Sequence, residues 1–142
     1  VRYASLLKAV ATGEMTVSSG IRLVQGNGDQ WGFLGFKALY KNNTLPADPK
    51  NRLKQLTGLV LGVFHVSAIF NEVLASLPEQ QISYTITDLS VAPEPGLLYV
   101  STADTSAPAN QAASTDWSPP ALTLNIQIVD QTWEISATPK AD

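Results

Sequence analysis

The sequence predicts an α+β domain, and three patterns carry that expectation. Two segments space their apolar residues at helical intervals, several others space them at strand intervals, and strand-like segments occur on both sides of the second helical one. At 142 residues the chain suits one folded unit, since a fold of about 150 residues buries roughly 70% of its extended-chain surface.

Tyr3, Leu6, Leu7 and Val10 form one helical stripe, and Gly13 can adopt the left-handed conformation that closes a helix. Ile21 to Gln25 reads as a strand ended by the turn formers Gly26, Asn27 and Gly28. Gly32 to Tyr40 is the next strand, apolar through Phe36 and so expected to be buried on both faces before Lys37 reaches water. Lys41 to Lys54 holds two prolines, adjacent asparagines and four basic residues, the composition of an exposed connection. Gly58 to Phe64 is expected to be a buried strand. Val66, Ile69, Phe70, Val73, Leu74 and Leu77 then mark a helix, with Ser67 as its N-cap and Pro78 as its stop.

Beyond that helix, Ile82, Tyr84 and Ile86 alternate with polar residues, and Leu97 to Val100 follows the breakers Pro93, Pro95 and Gly96. Ser101 to Ala121 is too polar and too rich in proline for regular structure. Leu122, Leu124, Ile126 and Ile128 alternate strictly, as do Trp133, Ile135 and Ala137 after Asp130 and Gln131, which predicts a terminal antiparallel hairpin.

Composition removes whole classes of chemistry. With no cysteine and one histidine, thiolate metal sites, iron-sulfur clusters, redox dithiols and cysteine nucleophiles are excluded. No cofactor is expected. The net charge of −3 divides unevenly, because eight of the nine Lys and Arg but only three of the twelve Asp and Glu fall in residues 1–54. Those basic residues are scattered over strand and loop, so no nucleic-acid partner is expected. No run approaches the ~20 apolar residues of a spanning helix. The sequence begins at Val1 without an initiator methionine, and is expected to be a piece whose targeting and membrane segments lie outside it.

Few residues invite catalysis. His65 is the sole imidazole and is expected to be a hydrogen-bonded or exposed residue where strand meets helix. No GxSxG turn or phosphate-binding loop is present. Gly26-Asn27-Gly28 starts like a dinucleotide fingerprint but leads into a strand, and reads as a turn. Asp88, Glu94 and Asp104 lack calcium-loop spacing and read as solvated loop charges. What remains is the strand pair itself, with Leu23, Phe33, Phe36, Tyr40, Leu59, Leu61 and Phe64 interleaved with Gly32, Gly35, Gly58 and Gly62. Glycines inside strands leave room for a ligand or for another backbone. Composition leaves both readings, pocket and packing, open.

The blocks TGEMTVSSGIRLVQ, GFLGFKALYK and LTGLVLGVFHVSAIFNEVL, in that order and spacing, resemble the central blocks of the CHASE domain, an extracytoplasmic sensor module of receptor histidine kinases and nucleotide cyclases. The resemblance spans Tyr3 to Leu77, and WEISATP at Trp133 to Pro139 resembles the family's closing strand. It implies a PAS-like mixed sheet with flanking helices, part of a two-lobe sensor. Residues 1–65 would be part of the membrane-distal lobe, 66–78 a connecting helix and 79–142 the membrane-proximal lobe. The family's long helix, its first distal strands and the acidic residue that anchors cytokinin in plant members would precede Val1. Ala38 stands where bacterial members often carry proline, and His65 where they carry arginine.

By this resemblance the chain is a non-catalytic sensor on the periplasmic or extracellular side of a membrane-anchored receptor, binding a small molecule of open identity and able to form a homodimer. Its ligand-binding candidates are Leu23, Phe33, Gly35, Leu59, Leu61 and Gly62. The rival reading is a structural or dimerisation domain without a small-molecule ligand. A hydrolase centred on His65 ranks third.

Overall fold

The computed structural model describes residues 2–24, 30–77, 82–91, 96–101 and 122–139. Helix α1, Arg2–Thr12, opens the chain. Gly13 closes it at φ 72°, with its N–H donating to the Ala9 carbonyl. Strands β1, Thr16–Val17, and β2, Ile21–Leu23, then share one edge of β3, Gln30–Tyr40. On the other edge of β3 lies β4, Leu56–His65.

The connection between β3 and β4 is largely exposed, with Pro46 buried and Asn51, Arg52 and Gln55 half-buried, but it is not formless. A tight turn at Lys41–Asn43 places Asn42 and Asn43 at φ 58° and 51°, a conformation asparagine tolerates. The short helix α2, Pro49–Arg52, follows with Asp48 accepting from the Lys50 N–H and proline in its first turn. This connection also serves α1. Helix ends leave carbonyls unsatisfied, and three groups reach those of α1 and its closing residue: the Tyr40 hydroxyl donates to Val10, the Arg52 guanidinium to Ala11 and the Lys37 ammonium to Gly13.

Helix α3, Val66–Ala75, leaves β4 without a gap. Its N-cap position is His65, with no side-chain capping bond, and the expected cap Ser67 lies inside the first turn. The reason is that β4 stays extended as far as His65, one residue further than its apolar run. Pro78, the expected stop, lies outside the described residues. Strands β5, Ile82–Asp88, β6, Gly96–Val100, β7, Leu122–Ile128, and β8, Gln131–Pro139, form a second sheet in the order β6-β5-β8-β7. The expected terminal hairpin is observed, with Ile128 opposite Gln131. All pairings among the described residues are antiparallel. The fold is therefore α+β and PAS-like, built from two antiparallel sheets. Residues 102–121, expected to be irregular, lie outside the described residues, as do Gly26 to Gly28, Glu94 and Asp104.

The two sheets share a core. Val17 and Phe33 of the first sheet, Val66 of α3, and Ile86, Leu98 and Trp133 of the second are all buried together. Phe33 stacks on Phe64 at 4.9 Å and meets the edge of Trp133 at 5.2 Å, arrangements that favour the ring quadrupoles. Two carboxylates tie the sheets further. Asp88 at the end of β5 and Asp130 in the β7–β8 turn accept the backbone N–H of Gly20 and Val17 at 3.3 and 2.8 Å. Asp88, expected to be a solvated loop charge, is fully buried at the end of β5. It also accepts the Ser90 N–H at 2.9 Å, and charge-assisted bonds of this kind offset the cost of burial.

Two expectations about burial are corrected. The α1 stripe splits, because Leu6 and Val10 pack on Ala38, Tyr40 and Leu56 while Tyr3 is 71% exposed and Leu7 also faces outward. The buried flank is instead completed by Ala9. Strand β4 is not buried: Val60, Leu61 and Val63 are 52%, 56% and 52% exposed. The physical reason is that β4 pairs only with β3 among the described residues, so it is an edge strand whose flank carries no neighbour.

Candidate functional site

Strand side chains alternate between faces, and directly opposed partners share a face. The register of β3 with β4 opposes Phe33 to Phe64, Gly35 to Gly62, Leu34 to Val63, Phe36 to Leu61 and Ala38 to Leu59. The first two pairs point toward the second sheet and the last three toward the side that carries α1. The six sequence candidates thus divide. Phe33, Gly35 and Gly62 lie on the inner face, whereas Leu59 and Leu61 lie on the outer one. Leu23, opposite Gln30 on β2, is also on the outer face.

The inner face is filled around Phe33, Gly35 and Gly62. A methyl group added at Gly62 would come within 2.7 Å of the Phe64 ring, and one at Gly35 would meet Met15 at 3.0 Å and Phe64 at 3.1 Å. The two opposed glycines therefore form a slot that the Phe64 ring occupies while stacked on Phe33. Phe33 is 6% exposed and belongs to the shared core.

On the outer face, beside the opening turn of α1, lies an open cleft of about 270 Å³ lined by Arg2, Ile21, Arg22, Leu23, Val24, Leu34, Val63 and His65. Its position follows from the fold. Helix α1 covers β3 at the Ala38 and Tyr40 end, where Leu6 and Val10 pack, and leaves the Gly32 end of the hairpin uncovered. Leu23, Leu34 and Val63 form an apolar floor. Arg2 and His65 supply polar groups, and no carboxylate lines the cleft among the described residues; Arg22, opposite Trp31, directs its side chain to the inner face. The Arg22 guanidinium lies 5.0 Å above the Trp31 ring, a cation–π contact. His65 Nδ1 lies 3.2 Å from Gln30 Oε1, so the boundary histidine is hydrogen-bonded.

Of the sequence candidates only Leu23 lines this cleft. Leu59 and Leu61 extend the same face along β4, both exposed. Leu34 and Val63 were missed, although strand alternation places Leu34 opposite in direction to Phe33. Arg2 carries no sequence signal for the site, since it is brought there by the way α1 folds back on the sheet. A smaller hollow of about 190 Å³ lies near Gly13, Lys37 and Leu45, but its ammonium group is engaged by the Gly13 carbonyl at 2.7 Å.

No group of three or more metal-ligating side chains occurs among the described residues. None of the described helices is long and apolar enough to cross a membrane. Comparison with curated proteins finds no match. The CHASE domain profile matches residues 1–99, which hold α1, the whole first sheet, α3, β5 and all but the last residue of β6. On that match the chain belongs to the CHASE domain family, extracytoplasmic sensor domains of signalling receptors.

Proposed function

We propose that this chain is the small-molecule-sensing part of a transmembrane receptor of the histidine kinase or nucleotide cyclase type, with its ligand held in the outer cleft around Leu23. The supporting observation is the double engagement of one strip of chain. Residues Ile21 to Val24 line the cleft, and just before them Val17 and Gly20 are held by Asp130 and Asp88 of the second sheet. A ligand that shifts β2 has a short path to β5 and to the β7–β8 turn. Signalling requires that the ligand bind two conformations unequally.

In this reading residues 1–65 form part of the membrane-distal lobe, α3 within residues 66–78 connects, and residues 79–142 form the membrane-proximal lobe. Leu59 and Leu61 extend the ligand surface, while Phe33, Gly35 and Gly62 set the sheet from behind. In the full-length receptor, Leu23→Trp should fill the cleft and abolish the ligand response while leaving membrane insertion unchanged. Retention of a wild-type response in that variant would contradict the reading.

Exposed apolar groups favour a second reading, a dimerisation unit. Tyr3 and Leu7 on α1, and Leu61 and Val63 on β4, are all large and uncovered, and patches of this kind mark association surfaces. Sedimentation of the chain with and without Leu61→Ser separates the two. A dimer lost in the variant supports association through this face.

A further inference from the structure

We infer that the turn joining β7 to β8 is a strained catch between the two sheets, able to release α1 and β1 as a local event, and that Val129 supplies the strain. The backbone carries the first part of the argument. The β7–β8 ladder runs to Ile128 opposite Gln131, so Val129 and Asp130 alone turn the chain. Val129 does so at φ 58°, a positive value that Asp130 does not share. Two-residue turns of that form favour glycine at the first position, because a side chain branched at Cβ crowds its own backbone there. Val129 gains little in return by packing, since it is 45% exposed.

What holds the strained turn is its grip on the other sheet. The Asp130 carboxylate accepts from the Lys8 ammonium of α1 and from the Val17 N–H of β1, both at 2.8 Å. Gln131 donates its side-chain amide to the Val17 carbonyl at 3.4 Å, and the Ser5 hydroxyl of α1 donates to the same oxygen at 3.1 Å. Both backbone polar groups of Val17 are thus bonded to the turn. The strand geometry explains why. The Ser18 N–H donates across to the Leu34 carbonyl of β3 at 2.8 Å, and backbone groups of successive residues in a strand point to opposite edges. Val17 therefore offers its own to the edge of β1 where the turn docks.

Release costs little on the α1 side. The Lys8 side chain is 55% exposed, so water replaces the Asp130 carboxylate there at small loss. The bonds to Val17 are opposed by the strain at Val129, and strain at one residue is of the same order as one charge-assisted hydrogen bond. Engaged and released turns thus lie close in free energy. Release leaves the Val17 side chain in the shared core, so α1 and β1 shift against the second sheet while the fold stays intact. Use of the catch in signalling rests on the sensing reading above, but its existence is tested without a ligand.

Amide hydrogen exchange of the 142-residue chain, at fixed pH and in urea below the unfolding transition, reads the catch at Val17. Ile135, paired on both sides within the second sheet, reports global unfolding. Exchange at Val17 should be insensitive to urea, as local opening is, while exchange at Ile135 rises with it. Val129→Gly should slow exchange at Val17 about tenfold, the low end of what one residue strained in this way stores, with the insensitivity to urea retained. Val129→Asn, which tolerates the left-handed region, should do the same and serves where glycine loosens the hairpin. Exchange at Val17 that rises with urea in step with Ile135 overturns the catch, because the turn then opens only when the chain unfolds. Urea-insensitive exchange slowed by neither substitution overturns it as well, because Val129 then stores no strain that release relieves. Neither outcome touches the outer cleft, whose test by Leu23→Trp involves no residue of the turn.

Discussion

The two faces of the β3–β4 hairpin are made from alternate residues of the same strands, yet around Phe33 and Gly35 one is packed shut while the other holds an open cleft. The inner face sets Phe33, Phe64 and the Gly35–Gly62 pair against Trp133 and Ile86. The outer face is roofed by α1 only at its Ala38 and Tyr40 end. Apolar content does not distinguish them, since Leu34, Leu61 and Val63 are as hydrophobic as their inner neighbours. What differs is whether a second element covers them, and hydrophobic stabilisation scales with area removed from water. Substitutions should therefore cost stability where a face is covered, at Phe33 on the inner face or at Phe36 and Tyr40 beneath α1, and ligand affinity in the uncovered cleft.

Truncation at the junction of the sheets should break the contrast most severely. Trp133 is 1% exposed and touches Phe33 and Phe70, so Trp133→Ala should cost about 3 to 5 kcal/mol in urea unfolding. A loss within experimental error would mean that the sheets do not share a core. Next in size, Gly62→Val should cost about 1 to 3 kcal/mol by overpacking, because the Phe64 ring is stacked on Phe33 and has little freedom to yield.

Asp130 comes third. Partial burial pushes its carboxyl pKa up, but the Lys8 ammonium at 2.8 Å and the Val17 N–H outweigh that and hold it below its ordinary value. A carboxyl whose pKa is lower folded than unfolded stabilises the fold above its unfolded value, and that contribution fades as pH falls through the folded one. Asp130→Asn should cost about 1 to 2 kcal/mol at neutral pH and make the acid side of the stability profile shallower. An unchanged profile would remove the clasp. Smallest of all, Leu61→Ser, at a side chain 56% exposed on the outer face, should alter stability by no more than about 0.5 kcal/mol. A loss as large as that of Gly62→Val would erase the distinction between the faces.

Local periodicity made much of this legible in advance. Helix α1, the β3–β4 pair, α3 and the β7–β8 hairpin all follow from spacing within ten or so residues, and the family blocks follow from their order. Burial was less legible because it depends on distant partners. The run Gly58 to Phe64 has the composition of a central strand, yet β4 sits at an edge. Asp88 has the composition of a loop residue, yet it closes β5 beneath Gly20. The candidate site was read from apolar and glycine content, which is alike on both faces, so it mixed inner residues such as Phe33 with outer ones such as Leu23. Only the register, set by pairings such as Gly35 with Gly62, separates them, and Arg2 joins the cleft through tertiary folding alone.

The most direct test follows the methyl resonances of the chain as small metabolites are added one at a time. The largest shifts should fall on Leu23, Val24, Leu34 and Val63, around the outer cleft, with smaller changes reaching Val17 through β1. Largest shifts at Val66, Ile86 and Leu98, in the core between the sheets, would contradict the assignment of the outer face as the sensing surface.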